Sequence, residues 1–230
     1  MKTIGLIGGM SWESTVTYYQ VINRAVGRAL GGLHSARIVL HSVEFDAIQR
    51  LQHDGRWPET GAILADAARS LHRAGADFVV LCTNTMHIVA DAIIAATPLP
   101  FLHIADATAE RIMAQGLSRI ALLGTKFTME EPFYKGRLED RHGLQVLVPE
   151  PADRAIVHRV IYEELCRGRI DDDSRREYQR IVRSLIDAGA QGAILGCTEI
   201  GLLLGENDCA VPLFDTAQIH AEAAATFALG

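Results

Sequence analysis

Two short stretches of the chain combine reactive groups with polar neighbours. They are Cys82-Thr83-Asn84-Thr85-Met86-His87 and Gly196-Cys197-Thr198-Glu199-Ile200. At an offset of 114 residues Thr83 falls on Cys197, and Asn84-Thr85 falls on Thr198-Glu199. A thiol at the start of a helix, ringed by N–H and hydroxyl donors, is expected to ionise more readily than a free one. Cys197 is therefore a candidate base or nucleophile. Cys82 comes one residue before Thr83. Strand alternation turns it toward the packing face, where it reads as a small buried hydrophobe. Cys166 and Cys209 match nothing in the other half and read as structural. His87 has two readings, as a group that orients or helps protonate the Thr83 side, or as a histidine satisfied by backbone.

Two glycine loops accompany these stretches, Gly8-Gly9-Met10-Ser11 and Gly124-Thr125-Lys126. Neither has the spacing of a P-loop or of the dinucleotide fingerprint. Each reads either as an N–H cradle for a small anion or as an ordinary turn with a Ser or Thr N-cap. The histidines are dispersed, with no His-x-x-x-His or Cys-x-x-Cys pair, so no metal set is expected.

The elements that must position these groups are legible from hydropathy. Thr3–Ile7, Ala36–Ser42, Phe78–Cys82 and Pro100–Ile104 read as strands. Ser14–Leu30, Thr60–Arg73 and His87–Ala96 read as helices. Such alternation implies a parallel sheet covered on both faces. The second half repeats the first. Ile4–Gly8 matches Ile120–Gly124, Ala74-Gly75-Ala76 matches Ala188-Gly189-Ala190, and Pro100-Phe101-Leu102 matches Pro212-Leu213-Phe214, at offsets of 112 to 116. The period is a whole small domain, not a solenoid repeat. The expected fold is α/β, with two Rossmann-like parallel-sheet domains related by a pseudo-twofold axis. Expected boundaries are 1–103 with 215–230 for one half and 104–214 for the other. The ligand is expected in the cleft between the halves, beyond the strands' carboxyl ends.

Composition narrows the function classes. Of 230 residues, 49% are hydrophobic and 22% charged, as in ordinary globular chains, and the net charge of −6 carries no basic stripe for nucleic acid. No run is long and apolar enough to span a bilayer, so no membrane partner is expected. The first residues lack a signal-peptide pattern, and the four cysteines lack paired spacing. The expected setting is cytoplasmic, with free thiols.

The Gly8–Met10 start, Asn84-Thr85-Met86-His87 and Gly196-Cys197-Thr198-Glu199 together resemble the aspartate/glutamate racemase family of cofactor-independent amino-acid racemases. The resemblance covers the whole chain. It implies two Rossmann-like domains, a small acidic amino-acid substrate, a homodimer, and neither pyridoxal phosphate nor metal. It also implies a two-base exchange in which one cysteine removes the α-proton and another protonates the opposite face. Cys197 matches the second-half cysteine. Thr83 stands where the family pattern has the first, and threonine donates or relays a proton far more easily than it removes one. The expected reaction is thus kinetically asymmetric, with Thr83 and Cys197 as catalytic residues. By the same resemblance Met10, Gln52, Asn84, Thr85, Thr198 and Glu199 bind substrate, with Glu199 at the ammonium. Glu164 is a looser match. Its charge would repel an acidic substrate unless Lys126 or an arginine intervened. A single-cysteine decarboxylase or isomerase of small dicarboxylic acids is the nearest alternative. A catalytically weak ligand-binding protein is another.

Overall fold

The computed structural model describes residues 1–230, the Glu206 side chain excepted. In chain order the strands are β1 (Ile4–Gly8), β2 (Ile38–Ser42), β3 (Phe78–Leu81), β4 (Phe101–Leu102), β5 (Arg119–Gly124), β6 (Gln145–Leu147), β7 (Ala193–Gly196) and β8 (Leu213–Asp215). The helices that precede β5 in the chain are α1 (Trp12–Leu30), α2 (Phe45–His53), α3 (Trp57–Arg73), α4 (Ala90–Ala96) and α5 (Ile104–Met113). Those that follow it are α6 (Lys126–Glu130), α7 (Pro132–His142), α8 (Pro151–Glu163), α9 (Asp172–Asp187), α10 (Ile200–Leu203) and α11 (Thr216–Leu229).

The strands form two separate four-stranded sheets, ordered β2-β1-β3-β4 and β6-β5-β7-β8, with every pairing parallel. The orders are the same once the second set is renumbered, as the internal repeat requires. β1, β3 and β7 are buried at every position. A strand covered on both faces needs apolar residues throughout, which is why these were readable as uninterrupted runs.

The chain divides into one unit of Met1–Ile104 with His220–Gly230 and another of Ala105–Ile219. The return point falls five residues beyond the expected 215 because α11 is shared. The Thr216 hydroxyl donates to the Leu195 carbonyl of β7, while His220 bonds Leu102 and Tyr18.

Several local expectations change. The stretch 44–56, unassigned from sequence, contains α2. Glu44 caps it, accepting from the N–H groups of Asp46 and Ala47. The expected helix 87–96 is a 3₁₀ turn at Thr85–Val89 followed by α4. β3 stops at Leu81, and the Cys82 N–H still donates to Ile7 O at 2.9 Å.

The sheets' carboxyl ends are fixed by glycines at close approaches. Gly9 has φ +94°, and a Cβ there would lie 2.3 Å from Val43 O. Gly124 pairs with Gly196, where a Cβ would lie 2.8 Å from Leu123 O. Neither position accepts a side chain without backbone movement. Among the described residues no helix is long and apolar enough to cross a membrane.

Candidate active site

In the first unit, the β1 loop is closed by capping. Ser11 accepts from the Ser14 N–H, and the Thr15 hydroxyl accepts from the Gly9 N–H at 2.8 Å. Met10 is buried in the core with Ile48, Leu64 and Leu81. The Val43 N–H donates to Gly8 O, which brings the start of α2 beside this loop; Gln52 lies buried farther along α2. Thr83, Asn84 and Thr85 follow β3 and are all buried. Met10, Thr83, Asn84 and Thr85 thus follow strands at the carboxyl end of one sheet.

His87 is locked. Its Nδ1 lies 2.8 Å from Thr83 O, and the Ile104 N–H lies 3.3 Å from its Nε2. A carbonyl only accepts and an amide N–H only donates, so Nδ1 carries the proton and Nε2 the lone pair. The backbone reading of His87 holds, and this ring holds the Thr83 backbone in place. Cys82 is wholly buried, and burial pushes its thiol far above the usual range.

In the second unit, Thr125 caps α6 by accepting from the Thr128 N–H. The following Lys126 N–H donates to His158 Nδ1 at 3.1 Å, which draws α8 to the end of β5. Lys126 itself is exposed and pairs with Glu130. Cys197 follows β7 and belongs to a core with Val160, Leu165, Tyr178 and Ile200. Its Sγ donates to Glu199 Oε2 at 3.0 Å, and the Thr198 hydroxyl donates to the same oxygen at 2.8 Å.

This geometry corrects the expected electrostatics of the thiol. Burial first, and the Glu199 carboxylate second, push the Cys197 thiol well above its ordinary value instead of below it. The helix that was to lower it, α10, spans only Ile200–Leu203. A four-residue helix has little dipole to offer. Cys197 rests as a neutral thiol with a carboxylate placed to receive its proton.

Glu164 is also buried, and its carboxylate is fully engaged. Oε2 accepts from the Ser174 hydroxyl at 2.7 Å; Oε1 accepts from Arg159 at 3.2 Å and meets Arg169 at 3.4 Å. The cations that an acidic substrate would need beside Glu164 are thus two arginines and not Lys126. Sequence reading missed Arg159, Arg169 and Ser174. They flank Glu164 at ordinary spacings in a chain with scattered basic residues, so no linear signal marked them. Among the described residues no group of three or more His, Cys, Asp or Glu gathers as a metal site would.

A family model described as Asp/Glu/Hydantoin racemase matches residues 7–224. The chain belongs to that family. Its fold and enzyme class follow: a two-domain α/β isomerase of the racemase type. The chain is similar to a crystallised candidate Asp/Glu racemase from Yersinia pestis, at 56% identity over all of both chains and a TM-score of 0.95. It is also similar to a crystallised aspartate racemase homologue from Pyrococcus horikoshii OT3, at 34% identity over all of both chains and a TM-score of 0.85. The chain is also similar to the broad specificity amino-acid racemase RacX of Bacillus subtilis (strain 168), at 23% identity over 93% of this chain and 92% of that protein.

Proposed function

We propose that this family member racemises aspartate, glutamate or both, without a cofactor, by proton transfer at Cα between Cys197 and Thr83. The observation that carries this reading is positional equivalence. The two residues follow the corresponding strands β3 and β7 of identically ordered sheets, and the thiol of one is hydrogen-bonded to a carboxylate.

The α-hydrogen of an amino-acid zwitterion is very weakly acidic, so the base must be desolvated and its charge delivered only when needed. Cys197 meets the first condition by burial. Transfer of its proton to Glu199 Oε2 meets the second, leaving a thiolate beside a neutral carboxyl group with the pair's charge unchanged. The thiolate then takes the α-proton. Thr83 delivers a proton to the opposite face, relayed from water, and Glu199 returns its own to solvent. Asn84, Thr85 and nearby backbone N–H groups hold the α-carboxylate, where negative charge grows in the transition state. Thr83 has no carboxylate partner of the Cys197 kind in this scheme, so kcat is lower in the reverse direction. Equilibrium still yields equal amounts of both enantiomers, so KM in that direction is lower in proportion.

The test is incubation with L- or D-aspartate and L- or D-glutamate in deuterium oxide, following the α-proton signal. Exchange with inversion is expected. Exchange without inversion means that Cys197 works alone; binding without exchange removes the racemase reading for these substrates.

A further inference from the structure

His158 has no part in the proton-transfer scheme, yet its ring holds the element that lies against Cys197. Helix α8, which carries it, packs on both β5 and α6. His158 Nδ1 lies 3.1 Å from the N–H of Lys126, the first residue of α6. An amide N–H only donates, so Nδ1 holds the lone pair and Nε2 the proton. The ring also packs edge-on to Phe127 of α6, at 6.4 Å between centroids, and against Tyr162 one turn along α8, at 4.8 Å. It thus grips α6 at its first two residues.

From that anchor α6 reaches the end of β7 directly. Thr128 is fully buried, and its N–H donates to the Thr125 hydroxyl at 3.3 Å. Its methyl group lies over the two glycines that pair at the ends of β5 and β7. A Cβ on Gly196 would come 3.3 Å from Thr128 Cγ2, and one on Gly124 would come 3.1 Å from the same atom. Cys197 follows Gly196 in the chain, and Met129 of α6 shares a core with it. A helix as short as Lys126–Glu130 has little stability of its own, so contacts from outside decide where it sits.

We propose that neutral His158 is a positioning residue for Cys197: it holds α6 against the end of β7 and releases it when the imidazole takes a second proton. A proton on Nδ1 would face the Lys126 N–H as donor against donor and break the anchor. The charged groups of α6 beside the ring are Lys126 and Glu130, and Arg154 of α8 holds Glu130 at 3.1 Å. Arg159 and Tyr162 are its other neighbours on α8, and the turn after that helix brings Cys166 and Arg167. Helix α9, also packed on α8, brings Tyr178, whose hydroxyl donates to Val157 O, and Arg180, which pairs with Asp153. Burial first and the Lys126 charge second lower the imidazole's pKa from 6.5, against an opposing effect of Glu130. The anchor is therefore intact at neutral pH and is lost as the pH falls below 6.5. The effect on turnover rests on the racemase reading, whereas the anchor itself can be followed without substrate.

The experiment varies the ring and the pH, with kcat and KM taken from α-proton exchange of aspartate or glutamate in deuterium oxide. His158→Leu removes the acceptor. It should lower kcat roughly 10- to 100-fold at neutral pH with KM within about twofold, because the thiol is displaced and the groups that hold the α-carboxylate are not. His158→Asn puts an amide oxygen close to the place of Nδ1 and does not titrate, so it should recover most of that loss. Its kcat relative to the wild type should be flat above about pH 7 and rise as the wild-type imidazole is protonated. Hydrogen exchange of the α6 amides, corrected for its intrinsic pH dependence, reads the anchor without substrate. Protection there should fall on acidification in the wild type and hold in His158→Asn. The asparagine variant carries the test alone should the leucine variant fail to fold. A kcat ratio that stays flat into the acid range, α6 protection that ignores pH in the wild type, or a leucine variant with wild-type kcat would overturn the proposal. A pH-dependent release of α6 that His158→Asn abolishes, in a protein that exchanges neither amino acid, would support the anchor and remove the racemase reading.

Discussion

The pH dependence of stability offers a test that the tertiary contacts alone define. His220 is fully buried on α11, with Nε2 2.9 Å from Leu102 O and Nδ1 2.8 Å from the Tyr18 hydroxyl. The carbonyl can only accept, so Nε2 carries the proton and Nδ1 accepts from Tyr18. Burial lowers the pKa from 6.5 to about 4, against a smaller opposing effect of the Leu102 hydrogen bond. In this window the unfolded chain binds the proton and the folded one resists it. Stability is therefore complete above pH 6.5 and is lost progressively down to about pH 4. The full loss from this residue is about 3 kcal/mol, at 1.36 kcal/mol per pH unit. For a chain of this length that corresponds to roughly 6–12 °C in Tm. His220→Gln keeps a donor for Leu102 O but does not titrate. Urea unfolding of both proteins from pH 8 to pH 4 should give a difference that is flat above pH 7. Below that, the wild type should lose about 3 kcal/mol more than the variant. A flat difference throughout the range would refute the assignment of a neutral, buried His220.

Three further outcomes follow from the site. Replacing Glu199 with Gln removes the charge that holds the Cys197 thiol up, so the pH midpoint of its alkylation by iodoacetamide should fall; a midpoint that stays or rises would break the proposed thiol–carboxylate pair. Cys197→Ala should abolish α-proton exchange, whereas Cys82→Ala should preserve it and cost about 1 kcal/mol, or roughly 2–4 °C in Tm. The reverse pattern would exchange the roles of the two cysteines. Thr83→Cys should speed the slow direction of turnover toward the fast one, and a loss in both directions would show that Thr83 is not at the reacting carbon.

The sequence by itself determined the sheets and their duplication. β1, β3 and β7 are covered on both faces, so solvent exposure leaves no alternation to blur the apolar runs, and the glycines at their ends mark where backbones touch. It also placed Thr83 and Cys197 at matching strand ends, because the offset between repeats is a property of the chain alone. Helix α2 escaped because its buried positions, Ile48 and Gln52, include a polar residue that weakens the apolar pattern. Only the tertiary structure decided the protonation states and partnerships. A thiol's pKa depends on desolvation summed over all its neighbours, and for Cys197 that sum opposed the local expectation of a helix-lowered value. His87 was ambiguous until Ile104 N–H was found at its second nitrogen. Glu164 had no cations assigned until the α8 corner brought Arg159 and Arg169 to one oxygen. Tyr18 and His220, 202 residues apart, have no sequence relation at all. Hydrogen bonds and burial act through space, so their signs are settled by who is adjacent in the fold, which residue spacing records only within a strand, a turn or a helix.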